Sequence, residues 1–508
     1  MGNETGLLDD DILKANTQTY IADAVKGHPK QLALLFFTEM WERFSFYGMR
    51  ALLVLFMVHN LHYADAKANL IYGTYTALVY LMPLFGGIAA DKFLGYRKAI
   101  ILGGILMAAG HLILAIPTEW SFFAGMAFLI SGNGFFKPNI STMVGKLYAP
   151  DDARRDGAFS IFYMGVNIGA AIGGLICGYI GQKINWHYGF GLAGIFMVIG
   201  LITFMFGQKS LGEIGLTPKE NEGKGPEVAM SKQLIVLAAS LVIIPIFIFL
   251  FNNYTLMGKI MFPTCGTAVL AMVILAFQQE HVEDRNKMLA AIVMVAFSVL
   301  FWAFYEQGGG SLNLYTERNV NTFGLPAAAV NNFINPFYII LLSFPFAWMW
   351  IRLANKGKEP STPMKFTLSF LQLGVGFLLF VIGAKLALNG RVSFLWYALG
   401  YLLLTTGELC ISPIGLSMIT KLSPTKYTGM MMGFWFLASA LGQHLAGVIG
   451  TLMAIPSEGG ATTVSAVESL SIYSGVFMKI FYVSLGGGLV LLLLVPILKR
   501  WSGATKTV

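Results

Sequence analysis

The sequence predicts an all-α membrane protein built as two six-helix bundles with two additional transmembrane helices between them. Three observations carry this. Of 508 residues, 56% are hydrophobic and only 12% are charged, against about 25% charged in soluble globular proteins. The apolar residues gather into runs long enough to cross a hydrocarbon core as helices. A single polar stretch rich in Gly, Pro and charge, Gly207 to Gln233, divides those runs into two sets. A large soluble protein would need a charged surface that this composition does not supply, and the mean hydropathy of +0.67 agrees.

Residues 1–30 are polar and mixed in charge and read as a cytoplasmic leader. The N-terminal bundle, 31–207, begins with a run from Leu32 to Val58 and continues near 69–90, 99–116, 121–146, 157–181 and 188–207. The linker, 208–233, is followed by an extra helix pair, 234–280, with runs near 234–251 and 262–279. The C-terminal bundle, 281–500, has runs near 288–312, 327–352, 364–388, 394–420, 428–454 and 474–498, and 501–508 is a tail.

Basic residues assign the sides. Lys92, Arg97, Lys98, Arg154, Arg155, Lys209, Lys356, Lys365, Lys421, Lys499 and Arg500 all fall on one side under this count. The other side holds only a scatter such as Lys67, Lys183, Arg318 and Arg391. The positive-inside rule then makes both termini cytoplasmic. It also accounts for the formal charge of +8 without a nucleic-acid partner. Cys177, Cys265 and Cys410 lie far apart inside apolar runs, with no metal-ligand or disulfide spacing. The polar start and the long first run do not form a cleavable signal peptide. No nucleophile–base set stands out, so an enzyme is disfavoured.

Two six-helix halves on a cytoplasmic linker are the pattern of a secondary transporter. GGIAADKFLGYRK, after the second run, resembles the major facilitator superfamily's loop between helices 2 and 3 through Gly87, Asp91, Lys92, Arg97 and Lys98. In that loop Asp91 is expected to meet basic residues and a helix N-terminus.

Charges deep in apolar runs cost roughly 2.5–3.5 kcal/mol each on insertion scales, so each is a functional candidate. The first run carries Glu39, Glu42, Arg43 and Arg50, with Tyr47, on one helical stripe. Lys137 lies in the fourth run, directly before Pro138. Tyr163 and Asn167 are i,i+4 in the fifth, flanked by Gly165 and Gly169, and Tyr80 lies in the second. The second half offers Trp302 and Glu306 ahead of three glycines, Asn335 before Pro336, Glu408 near Pro413, and Trp435 with Ser439. Cations with two acids on one wall and acids on the other suit a zwitterionic solute and a titratable carboxylate. The residues alone therefore indicate a coupled transporter for a polar solute.

The motifs resemble those of the proton-dependent oligopeptide transporter family. The pattern E-x-x-E-R-F-x-Y-Y-G matches Glu39, Glu42, Arg43, Phe44, Tyr47 and Gly48, with Phe46 in place of its first tyrosine. G-x-G-x-F-K-P-N-x-S matches Gly132, Gly134, Phe136, Lys137, Pro138, Asn139 and Ser141. The extra pair looks like that of prokaryotic members. The resemblance implies symport of di- and tripeptides with protons across a bacterial cytoplasmic (inner) membrane, driven by the proton gradient without a cofactor or metal. It implies proton coupling through Glu39, Glu42, Arg43 and Lys137, and an outer gate formed by Arg50 and Glu306. A peptide site would be lined by Tyr47, Arg50, Tyr80, Lys137, Tyr163, Asn167, Trp302, Asn335, Glu408, Trp435 and Ser439. Uptake of nitrate or another small solute is the alternative within the class; a membrane sensor or channel is the alternative outside it.

Overall fold

The computed structural model describes residues 20–219, 227–412, 414–458 and 461–503. Most of the leader, the middle of the linker, Pro413 and most of the tail lie outside those residues. The N-terminal bundle comprises α1 (Lys30–His59), α2 (Asp65–Ala89), α3 (Tyr96–Leu114), α4 (Glu119–Lys146), α5 (Arg154–Lys183) and α6 (Trp186–Gly207). The inserted pair is α7 (Met230–Asn252) and α8 (Tyr254–Phe277). The C-terminal bundle comprises α9 (Val282–Tyr305), α10 (Ser311–Asn319), α11 (Ala327–Asn355), α12 (Thr362–Lys385), α13 (Phe394–Ile411), α14 (Gly415–Leu422), α15 (Thr428–Thr451) and α16 (Ala466–Trp501). Twelve spans among the described residues are long and apolar enough to cross a membrane. α1 and α4, with 30 and 28 residues, have the length while carrying charge inside.

Two apolar runs are interrupted. The run 288–312 ends its α-helix at Tyr305, tightens into a 3₁₀ turn over Glu306–Gly309 and resumes as α10. Three consecutive glycines, Gly308 to Gly310, remove the side chains that would hold a continuous helix there. The run 394–420 is split into α13, which ends at Ile411, and α14, which begins at Gly415.

With alternating crossings, Lys30 and Trp501 lie on one face, here the terminal face, and the α1–α2 turn on the opposite, far face. Within the N-terminal bundle α1 packs most closely on α5. A Cβ at Gly169 would lie 2.2 Å from the Met40 carbonyl oxygen, so glycine is what lets the two backbones approach. The bundles meet through α2 against α15 and α5 against α11. At the first seam Gly73 and Gly447 are so close that a Cβ on Gly73 would stand 2.8 Å from the Gly447 Cα.

The inserted helices divide between the bundles. α7 packs on α4, where the Ser131 hydroxyl donates to the Ser240 carbonyl at 2.9 Å. α8 packs on α9 and α15, where Phe262 meets the His444 ring edge-on at 5.9 Å. Both turn large apolar side chains outward, among them Ile235, Val242, Phe249, Ile260 and Leu270, as a lipid-facing surface requires.

On the terminal face the first part of the linker is fastened to the α2–α3 loop. Arg97 donates to the Ile214 carbonyl at 2.7 Å, and its backbone N–H to Gly215 at 3.0 Å. Among the described residues Asp91 pairs with no basic side chain, contrary to the expectation; it accepts from the Tyr96 hydroxyl at 2.7 Å, and the arginine of the same loop is engaged by linker carbonyls. The Arg154 guanidinium gathers the carbonyls of Ala22, Val25 and Gly27 and holds the Asp152 carboxyl below the usual carboxylate range.

Gly73→Val should overpack the α2–α15 seam by about 1–3 kcal/mol and loosen the far-face closure. Thiol labelling of Val166→Cys, on the cavity wall of α5, should then become faster from the far side. Unchanged labelling would show that the seam does not control access.

Candidate functional site

A cavity of about 520 Å³ lies between the bundles, lined from α1, α2, α4 and α5 on one side and α9, α11 and α13 on the other. That volume falls within the roughly 300–1,000 Å³ of small-ligand sites. Its far end is closed by Arg50, Glu306 and Gly309, whereas Phe159 and Ser412, at its other end, are exposed. The cavity therefore opens toward the terminal face.

On the α1 wall the charged stripe folds into a compact cluster. Arg43 Nε lies 2.6 Å from Glu39 Oε1 and 2.9 Å from Glu42 Oε2, and all three side chains are at most 3% exposed. Asn133 of α4 donates to the other Glu42 oxygen at 3.4 Å. Glu39 and Arg43 line the cavity, and Glu42 stands one layer behind them. The oxygens Glu39 Oε2 and Glu42 Oε2 lack a well-aligned hydrogen bond among the described residues. Two carboxylates on one guanidinium leave the cluster a net negative charge if both are ionised.

Lys137 makes no ion pair within 4 Å among the described residues. Its ammonium lies 4.7 Å from the centroid of the Tyr80 ring and lines the cavity. Glu42 pairs with Arg43, the next residue of α1, and Lys137 faces the cavity.

The opposite wall is acidic. Glu408 of α13 accepts hydrogen bonds from the Tyr305 hydroxyl and, at 3.0 Å, from Asn335 Nδ2. Asn335 also donates to the Tyr305 oxygen at 2.6 Å. One turn earlier on α11, Asn331 donates to the Gly308 carbonyl at 2.6 Å. The Asn331 Oδ1 accepts from Tyr401 at 2.6 Å and Tyr397 at 2.9 Å. That carbonyl belongs to the turn where the helix is interrupted, so Asn331 supplies a donor that the helix itself no longer provides.

The far end is sealed by charge. Arg50 pairs with Glu306 and donates to the Tyr72 hydroxyl at 2.5 Å. Beyond it, Arg318 makes a two-pronged contact with Asp65, at 2.5 and 2.9 Å, and Asp65 also accepts from the Ile455 N–H at 3.0 Å. His59 lies 2.6 Å from Glu317. The two ion pairs between the bundles among the described residues, and the His59–Glu317 contact, therefore lie from Arg50 outward to the far face.

Of the residues singled out in the sequence, Glu39, Arg43, Tyr47, Arg50, Tyr80, Lys137, Tyr163, Asn167, Trp302, Glu306, Asn335 and Glu408 meet at this cavity. Trp435 and Ser439 do not line it. The Trp435 ring packs against Gly415, and Ser439 donates back to the Trp435 carbonyl at 2.9 Å. Phe46 is also off the cavity, buried with its ring 5.9 Å from the Arg43 guanidinium carbon. Sequence reasoning missed Tyr305, Asn331 and Tyr401, which look like ordinary residues of apolar helices. It also missed Asp65–Arg318, whose members sit at run ends where water is the expected partner. The adjacency of Glu317 and Arg318 just past the glycine break was the available signal.

Comparison with known proteins gives the family. The model of the POT family matches residues 97–465. A peptide transporter of Yersinia enterocolitica is 38% identical over 468 residues, covering 86% of this chain and 90% of that protein. A di-/tripeptide transporter of Lactococcus lactis is 36% identical, covering 85% and 91%. A crystal structure of a peptide transporter POT mutant in complex with alafosfalin superposes with TM-score 0.80 at 34% identity, covering 93% of this chain and 96% of that one.

Arg43→Leu should leave two carboxyls buried without a cation and destabilise the fold by about 3–5 kcal/mol. Thermal melting of the purified protein in detergent reads this as a clear fall in Tm. A Tm within a degree or two of wild type would show that another group neutralises the pair.

Proposed function

The chain belongs to the POT family, and from that premise we propose that it imports di- and tripeptides together with protons by alternating access. It is a transporter rather than an enzyme, as its relatives are. The observation that carries the substrate reading is the charge across the cavity: Arg50 and Lys137 on the N-terminal wall, Glu408 on the C-terminal wall. A short peptide is a zwitterion with its charges several bonds apart. Its carboxylate suits Lys137 and Arg50, and its ammonium suits Glu408. Asn167 and Asn335 would hold termini or backbone, with Tyr47, Tyr80, Tyr163 and Trp302 lining the side-chain space. A bare anion such as nitrate would be repelled by Glu408.

The terminal face carries the basic loops and is therefore the cytoplasmic side, in a bacterial cytoplasmic membrane. In this reading the structure is open to the cytoplasm and closed outside by Arg50–Glu306. The proton switch is the Glu39–Arg43–Glu42 cluster with Lys137 beside it. When Glu42 takes up a proton from the outer side, Arg43 loses one of its two carboxylates, and the positive field of Arg43 and Lys137 turns toward the peptide carboxylate. Release of the peptide inside removes that counter-charge, and Glu42 gives its proton to the cytoplasm as the pair with Arg43 reforms. Protonation favours binding, so an acidic exterior drives accumulation and its loss stops it.

The test is uptake of a labelled dipeptide into proteoliposomes with and without an inward proton gradient. Concentrative uptake should require the gradient, and gradient-independent accumulation would overturn the symport reading. Glu42→Gln should abolish accumulation, by at least tenfold, while sparing exchange against internal peptide. A Glu42→Gln protein that still concentrates peptide would remove Glu42 from the switch.

A further inference from the structure

Glu408 is 9% exposed and has no cation within 4 Å among the described residues. What stabilises it in the interior is a pair of neutral donors, the Tyr305 hydroxyl and Asn335 Nδ2, and both land on the same oxygen, Oε2. Oε1 accepts no hydrogen bond among the described residues, and neither does Asn335 Oδ1, so the carboxylate is half satisfied and an acceptor stands beside it. The Tyr305 hydroxyl occupies the place an N–H donor of a ligand would take. Its ring is fixed by stacking on Phe301, 5.8 Å away at 13°, and by an edge contact with Trp302 at 5.3 Å.

We infer that the Tyr305 hydroxyl competes with the peptide's α-ammonium for Glu408 and thereby sets how strongly a free amino terminus is bound. This rests on the reading of Glu408 as the amine site. An ammonium has three N–H donors, and Glu408 Oε1 and Asn335 Oδ1 offer two acceptors at once. The third, Oε2, is reached only when the phenol lets go. Until then Tyr305 satisfies the empty carboxylate, which would otherwise be a buried charge without a strong donor. Occupied, the site must return that hydrogen bond, so part of the ammonium's binding is spent on displacement. Tyr305 is also the last residue of α9, directly before Glu306. Moving its hydroxyl away from Glu408 therefore acts on the turn that carries the acidic half of the far-face pair.

The experiment is calorimetric binding of dialanine and of N-acetyl-dialanine to the purified full chain, for wild type, Tyr305→Phe, Tyr305→Met and Glu408→Gln. Both Tyr305 variants lack the hydroxyl, so one failing to fold leaves the other. Their expected result is dialanine bound about tenfold tighter, with N-acetyl-dialanine changed less than twofold. An equal shift for both ligands, no shift, or weaker dialanine binding would overturn the inference. Glu408→Gln should erase the preference for the free amine. If it keeps the preference, the amine reading of Glu408 fails, and the inference with it. If it erases the preference while the Tyr305 variants leave the ratio of the two affinities unchanged, Tyr305 alone is excluded.

Discussion

An ion inside a membrane needs a partner or a water-filled cavity inside the protein, and that constraint organises this molecule. The Glu39–Arg43–Glu42 cluster meets it within one helix, with help from Asn133 on α4. Arg50 cannot meet it within its own bundle and reaches across to Glu306. Asp65 does the same with Arg318. Each inter-bundle pair is thus both a neutralisation and a closure. Pulling the bundles apart at the far face would strand both members of each pair unless water or a ligand replaces the missing one.

The fold was legible because a membrane leaves few options. Apolar runs read as helices, and their lengths gave the spans. What periodicity could not show was where a helix would be interrupted. Gly308–Gly310 marked one place, yet the carbonyl freed there and its donor, Asn331, are separated in sequence and joined only by packing. The candidate site was legible where a charge stood out against apolar neighbours, as with Lys137 and Glu408. It was illegible where polarity hid in a tyrosine, as at Tyr305 and Tyr401, or where charges sat at run ends, as at Asp65 and Arg318. Trp435 and Ser439 stood out as a polar pair in an apolar run, and the geometry does not bring them to the cavity.

The two walls differ in how they hold charge. On α1 the acids are held by a cation of the same helix. On α13 the acid is held by two neutral donors from neighbouring helices. The α11 face joins the second wall to the far seal, since Asn335 serves Glu408 and Asn331, one turn away, serves the interrupted turn beside Glu306. Site and seal therefore share one helix.

Among the described residues the inserted pair contributes nothing to the cavity wall, and its two members pack mainly on different bundles. Its significance is one of parity. An even number of added crossings returns the chain to the side it left, so the second bundle keeps its orientation and Glu408 still faces Lys137. A single added helix would invert everything after residue 279, turning the acidic wall upside down against the basic one. Insertions in such a scaffold are therefore tolerated in twos, at the periphery, and at the one joint where the halves are already separate.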